Sequence, residues 1–330
     1  MRVQRIAVLC FLFVVFINSA SVAADKLVGI HSAIAISQSL PWIAREAGIF
    51  RKHNLDFDLV LMRSAGTAAA AMVGGETDVG LIGGIGIVSA YVQGAQDFVI
   101  TGAVKNILTH SIIAKPDIKR PEELKGKSIG VNRIGSNNHY FAIQVLQRIG
   151  LDPAKDVIFR QTGGDAADLI ALLNGSVDAS AMLTYGQNAV AQGFHYLIYG
   201  PDLRIPYTAA AFVTRRSVIA RKPQIIGQFM RSMAEASKIF HTDRDTTFKI
   251  LAKYLRINDR KILETSFNNE VKAMEAKFDM KPEALQAILD ELATNDGRAK
   301  KVQPQQLIDR RYLEEMEKSG FFDSLWGGKR

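Results

Sequence analysis

The sequence predicts an α/β protein made of two similar lobes, and three observations lead there. The segment Ala71-Met-Val-Gly-Gly75-Glu-Thr-Asp78-Val-Gly-Leu81 returns as Ala171-Leu-Leu-Asn-Gly175-Ser-Val-Asp178-Ala-Ser-Ala181, at an offset of 100 residues throughout. Both copies read as a helix end, a Gly stop, an Asp and a small-to-apolar strand. Around each copy the pattern alternates strand and helix as β-α-β-α-β, which predicts parallel strands joined by right-handed helical crossovers. The chain has 330 residues, of which 48% are hydrophobic and 22% charged. At about 150 residues per domain this allows two domains, each able to bury a core.

Taken in order, the chain opens with Arg2 and Arg5, the unbroken apolar run Ile6 to Ile17, and small residues ending Ser19-Ala20-Ser21-Val22-Ala23-Ala24. Twelve residues at about 1.5 Å each span roughly 18 Å, short of a hydrocarbon core of about 30 Å. Residues 1–24 are therefore expected to be a signal peptide cleaved near Ala23 or Ala24. The single cysteine, Cys10, lies inside that run. A mature chain without cysteine excludes disulfides, thiol catalysis, Cys-ligated zinc and iron–sulfur clusters.

Next come the strand Leu27 to Ser32, a helix through Trp42 to Gly48, the strand Phe57 to Met62, the helix Ala68 to Gly74 and a third strand; counterparts run from Ser128 to Leu183. Ligands of such sheets bind beyond the carboxyl ends of the strands. The corresponding loops are Ile34 to Pro41, Arg63 to Thr67 and Gly83 to Gly86 in the first repeat. In the second they are Asn132 to Tyr140, Thr162 to Asp165 and Thr184 to Asn188. Several run into helix N-termini, where free N–H groups suit an anion. Thr67, Ser136 and Asp165 are equally suited to plain helix capping. From about Ser217 the chain reads as helices, with Ile226, Phe229, Met230, Met233 and Ile239 at core spacing.

Other chemistries find no foothold. The six His, at 31, 53, 110, 139, 195 and 241, show no helical metal spacing, so no metal and no cofactor are expected. Neither a Gly-x-Ser-x-Gly elbow nor a P-loop is present. Glu122-Glu123 and Glu314-Glu315 read as solvated faces rather than acid/base pairs. The formal charge of +8 falls to +6 once the two leader arginines are removed, and no long basic tract remains, so no nucleic-acid partner is expected.

Several ordered blocks then resemble one family, the nitrate, sulfonate, taurine and thiamine-precursor group of ABC-transporter substrate-binding proteins. They are Ile43-Ala-Arg-Glu-Ala-Gly48-Ile-Phe50, Asn54-Leu-Asp-Phe57, Gly75-Glu-Thr-Asp78-Val-Gly80, Leu124-Lys-Gly-Lys-Ser-Ile-Gly130-Val, Gly150-Leu-Asp-Pro153 with Asp156-Val157, and Ile205-Pro-Tyr207. The tail, Leu307-Ile-Asp-Arg-Arg-Tyr312 and Ser319-Gly320-Phe321, is similar to that family's closing helix. The resemblance implies the two-lobed periplasmic-binding-protein type II fold, with mixed sheets flanked by helices and a two-crossover hinge. Lobe I would be discontinuous, 25–115 and 213–330, and lobe II would be 116–212, with crossings near Ala114 to Pro116 and Phe212 to Arg216.

It further implies a monomeric, periplasmic, non-enzymatic protein that closes on one small ligand and delivers it to an ABC permease in the inner membrane. Enzymes of the same fold acting on a small heterocycle or acid, and sensory binders, are the alternatives. Ligand contacts are then expected from Ser37, Gln38, Trp42, Ser64, Gly66, Thr67 and Gly84 in the first lobe. The second lobe would supply Arg133, Gly135, Ser136, Gly164, Asp165, Thr184 and Tyr185, with Tyr207 near the hinge. Arg63 and Arg133 favour an anionic group, Asp165 an amine or N-heterocycle, and Trp42, Tyr140, Tyr185 and Tyr207 a planar or apolar body. The expected ligand is an organic molecule with an acidic end, zwitterionic or aromatic, rather than bare nitrate.

Overall fold

In the computed structural model residues 24–327 are described, so the expected leader, apart from Ala24, and Cys10 lie outside the described residues. Ten strands form two five-stranded sheets. Strands β1 (Asp25–His31), β2 (Leu55–Leu61), β3 (Val79–Ile82) and β4 (Phe98–Leu108) belong to the first sheet, and β5 (Ser111–Ala114), β6 (Ser128–Val131), β7 (Ile158–Gln161), β8 (Ala179–Met182) and β9 (His195–Ile198) to the second. The last strand, β10 (Ile205–Arg215), returns to the first.

The orders are β2-β1-β3-β10-β4 and β7-β6-β8-β5-β9. In the first sheet β1 runs parallel to β2 and β3, with Gly29 opposite Leu59 and Val79, and β10 runs antiparallel to β3 and β4. The second sheet repeats this plan: β6 is parallel to β7 and β8, and β5 is antiparallel to β8 and β9. The expected mixed sheets are present, and both are flanked by helices. Strand β3 is buried along its whole length, as a strand covered on both faces must be. Helices Ala65–Val73 and Gly84–Val92 cross at Gly86, where a Cβ would lie 2.3 Å from the Ala65 carbonyl oxygen, so only glycine fits.

The repeat extends to individual hydrogen bonds. The Asp78 carboxylate accepts from Val28 N, and the Asp178 carboxylate from Ser128 N; in return Asp78 N donates to Val28 O and Asp178 N to Ser128 O. Each Asp closes the foot of its lobe and pairs with a lysine, Lys222 for Asp78 and Lys115 for Asp178.

The chain passes between sheets earlier than the sequence reading places it. Strand β4 ends at Leu108 and β5 begins at Ser111 in the other sheet, so the first crossing is Thr109-His110 and not Ala114 to Pro116. The return lies between Ile198 and Ile205, because β10 already pairs with β4 through Ile205 opposite Leu108; Phe212 to Arg215 is the far end of β10, still in the first sheet, and Arg216 begins the next helix. Only Thr109, His110 and Ser111 separate Ile107-Leu108 of β4 from Ile112-Ile113 of β5, a gap short enough to conceal the change of sheet. The C-terminal helices, beginning with Pro223–Thr242, pack on the first lobe. Ile226, Phe229, Met230 and Met233 are buried there as expected, and Ile239 is partly buried.

Candidate ligand-binding cleft

The carboxyl ends of the parallel strands of both sheets, and the amino ends of β5 and β10, face a cleft of about 340 Å³. That is small-molecule size. The lobes are closed over it by hydrogen bonds that pass from one to the other. Arg133 Nη1 donates to Thr67 Oγ1 at 3.0 Å, Asn137 Nδ2 to the Ala209 carbonyl at 2.8 Å, Tyr140 OH to the Ala287 carbonyl at 3.2 Å and Tyr185 OH to the Leu255 carbonyl at 2.7 Å.

Eight of the fifteen expected residues line the cleft: Ser37, Gln38 and Ser64 from the first lobe, and Ser136, Gly164, Asp165, Thr184 and Tyr185 from the second. Two of these side chains are already committed to the scaffold. Gln38 Oε1 accepts from the amides of Ser32 and Ala33, and its Nε2 donates to Ser32 Oγ, so Gln38 folds the loop after β1 back on itself. The buried Asp165 carboxylate accepts three backbone bonds, from Leu183 N at 2.9 Å, Thr184 N at 2.6 Å and Tyr185 N at 3.0 Å. Burial raises its pKa above the usual carboxylate value, against the pull of these three bonds. Asp165 is thus occupied in holding the loop after β8, and the expected attraction for an amine is corrected: both its oxygens already have donors.

The other seven do not line the cleft. Trp42 is 3% exposed and stacks flat on Tyr254, 4.9 Å between ring centroids; Tyr254 presents itself to the cleft in its place. Thr67 and Arg133 are bonded to each other across the lobes. Gly66 lies within the first turn of the helix Ala65–Val73. Gly84 lies against the Thr208 carbonyl, where a Cβ would come within 2.6 Å. Gly135 turns the loop after β6 at a φ of +78°, with its N–H donated to His139 Nδ1. Tyr207 is fully buried against Tyr140, its hydroxyl donating to Asn137 Oδ1 at 3.3 Å.

Arg63, expected to favour an anion, lines the cleft, and so do charged and polar groups that the sequence reading did not choose, among them Arg256, Lys105, His110 and Asn137. Arg63 follows β2, and Arg256 ends the helix Arg244–Leu255 at a φ of +56°. Arg63 Nη1 reaches across to the loop after β7, 3.4 Å from where a Cβ on Gly164 would stand, and Arg256 directly follows Leu255, whose carbonyl accepts from Tyr185 OH. Burial and the Asp165 charge raise the Tyr185 pKa, against a downward pull from Arg256 and Arg63. Among the described residues, neither arginine forms an ion pair with a carboxylate. Lys105, 1% exposed in the middle of β4, is by contrast neutralised: its Nζ donates to Glu270 Oε2 at 2.7 Å and to Thr109 Oγ1 at 2.8 Å, and the Thr109 hydroxyl bonds Glu270 Oε1. Burial and the nearby Lys105 charge depress the His110 pKa to about 3, so its imidazole is neutral at physiological pH. A lysine within a buried, largely apolar strand was the one sequence signal that could have marked this floor. Among the described residues no group of acidic, His or Cys side chains could hold a metal ion.

The chain has relatives in three kinds of comparison. The family model described as NMT1/THI5 like matches residues 40–246. A provisionally named binding protein of Brucella abortus (strain 2308) is 26% identical over 247 residues, covering 70% of this chain and 72% of the relative. Among solved structures, the alkanesulfonate-binding protein SsuA from Xanthomonas axonopodis pv. citri bound to MOPS has a TM-score of 0.71 at 19% identity, covering 86% of this chain and 98% of its own. The desulfurization enzyme DSZB has a TM-score of 0.70 at 14% identity, with 89% and 99% covered. A binding protein and an enzyme therefore share this fold.

Proposed function

The chain belongs to the NMT1/THI5-like family, and from that premise we propose that it is a solute-binding protein that captures a small organic anion between its lobes and delivers it to an ABC importer. The observation that carries this reading is that Arg63 and Arg256 both line the cleft, Arg63 against the Gly164 loop and Arg256 next to the carbonyl that Tyr185 bonds, while the cleft's own carboxylate, Asp165, is occupied by backbone donors. Two planar forks facing one small space suit a sulfonate or carboxylate, which each can grip through two hydrogen bonds. Tyr254 and Tyr185 beside them offer flat apolar surface for the ligand body.

Closure is the mechanism. A ligand that touches both lobes favours the closed state by its extra contacts there, and the bonds from Tyr185 to Leu255 and from Arg133 to Thr67 form only on closure. The importer would then read the closed form. In this reading residues 1–24 are the export signal, and the mature chain works as a monomer in the periplasm. The existence of an enzyme on the same fold makes turnover the discriminating measurement.

The test is a thermal-shift screen of the mature chain against alkanesulfonates, MOPS, taurine, aliphatic and aromatic carboxylates and nitrate, followed by calorimetry. A ligand at 100 times its Kd stabilises by about 2.7 kcal/mol, which at about 2 °C per kcal/mol raises the midpoint by roughly 5 °C. The reading fails if no organic anion shifts the midpoint, or if the purified protein converts the bound molecule.

A further inference from the structure

His110 is the residue at the cleft that neither capping nor ion pairing explains. It sits at the first crossing between lobes, is 5% exposed, and lines the cleft floor. Its ring packs against Phe141 at 5.7 Å between centroids, and its Nδ1 is buried with no hydrogen-bond partner. A buried polar atom left unpaired costs free energy, and such groups in native proteins normally find a donor or acceptor. Its polar neighbours are paired: Lys105, Thr109 and Glu270 bond one another, and Ser111 Oγ accepts from Gly200 N. A half-turn of the imidazole about its χ2 bond exchanges Nδ1 with Cδ2 and Nε2 with Cε1, so a bound partner can select the orientation of the ring.

The topology sets this imidazole apart from Arg63. Arg63 leaves β2, and His110 follows β4; these are the two edge strands of the first sheet, four strand spacings apart. At about 4.8 Å per spacing the strand axes are roughly 19 Å apart, a gap that the long Arg63 side chain shortens. At the arginine end the charge is positive and unpaired. At the floor it is cancelled by the Lys105–Glu270 pair, and the imidazole adds hydrogen-bonding capacity without charge.

We propose that His110 is a specificity-determining residue that hydrogen-bonds an uncharged polar group at the far end of the ligand, so that the ligand is an elongated organic acid carrying its anion at one end and a hydroxyl or similar group at the other. This rests on the anion-binding reading above and deepens it. A plain alkyl chain would leave the imidazole unpaired in the closed state, and a chain ending in a hydroxyl would satisfy it.

Calorimetry on the mature chain with alkanesulfonates of three to six carbons, each paired with its ω-hydroxy counterpart, tests this directly, and the same pairs among carboxylates identify the head group. At the matching length the hydroxylated member should bind about five- to tenfold more tightly, the worth of one well-made hydrogen bond. In His110→Phe, which keeps the packing on Phe141, that ratio should fall to about one while the unsubstituted acid still binds; His110→Gln should restore part of it. Arg63→Gln should weaken both members equally and leave the ratio intact. Equal binding of each pair by the wild-type chain overturns the inference even if His110→Phe does not fold, and so does an unchanged ratio in His110→Phe. Failure of every acid to bind would refute the anion-binding reading itself, and this inference with it.

Discussion

Lys105→Met should be among the most destabilising single changes in this protein, although it removes one surface-type residue from the middle of a strand. Lys105 and Glu270 are 1% and 2% exposed, with 2.7 Å between Nζ and Oε2. Removing the lysine leaves the Glu270 carboxylate buried with only the Thr109 hydroxyl beside it. Breaking a buried pair from one side costs about 3–5 kcal/mol, because the remaining charge stays desolvated. At about 2 °C per kcal/mol for a chain of this size, the midpoint of thermal unfolding should drop by roughly 6–10 °C. Replacing both partners, as Lys105→Met with Glu270→Leu, removes the stranded charge and leaves only the Thr109 hydroxyl to be satisfied, at a cost of about 1–3 kcal/mol. The double variant should therefore be more stable than the Lys105→Met single. A double-mutant cycle by thermal and urea unfolding measures the coupling. A loss below about 1 kcal/mol in the single variant, or losses that simply add in the double, would refute the assignment of this pair as a desolvated clasp between β4 and the helix Arg260–Val271.

Three further outcomes follow from the same contacts. Arg63→Gln and Arg256→Gln should each lower affinity for an organic anion about tenfold or more, and Arg63→Lys should not restore it, since a lysine lacks the planar fork; calorimetry reads both. Trp42→Ala should destabilise by about 3–5 kcal/mol as a core truncation, whereas Tyr254→Ala, at the cleft, should reduce affinity more than stability, a split visible by comparing unfolding midpoints with Kd. Burial and the neighbouring Asp165 charge raise the Asp168 pKa to about 7, so the folded chain keeps a proton that the unfolded chain releases near pH 4. That contribution is complete below about pH 4 and is lost as the pH rises toward 7, a change of about 4 kcal/mol at about 1.4 kcal/mol per unit; the difference in stability between wild type and Asp168→Asn, followed from pH 4 to 8, should show it, and a flat difference would contradict it.

What could be read from the sequence was whatever depends on spacing along the chain. The 100-residue echo marked the strands, their order of alternation and the loops that face the cleft, because helix stops and small strand residues recur at fixed separations. Which side chain in a loop is free could not be read, because that depends on partners from elsewhere. Asp165 looked like a free charge and is held by three amides. Trp42 looked like a stacking platform and is covered by Tyr254, which belongs to the C-terminal helices. Arg256 comes from that same segment, and nothing in its local sequence ties it to loops two hundred residues earlier. The crossing at Thr109-His110 was missed for a local reason: two residues are enough to change sheets when the strands on either side are equally apolar.

The two lobes differ where the cleft needs them to differ. Positions 100 apart that serve the fold make the same bonds: Gln38 accepts from Ser32 N as Asn138 accepts from Asn132 N, and Asp78 and Asp178 close their lobes alike. Even the backbone before the second helix of each lobe matches, with Ser64 at a φ of +149° and Gly164 at +157°. The correspondence breaks immediately beside that point, where Arg63 faces Gly163 in the repeat and Ala65 faces Asp165. One lobe therefore presents a guanidinium at this loop, and the other presents backbone, with its only charge turned inward onto its own amides. A symmetric ligand would gain nothing from that difference. A ligand with an acid at one end would lay that end on the first lobe, so exchanging the pair, as Arg63→Gly with Gly163→Arg, should not preserve affinity even though it keeps the charge of the cleft unchanged.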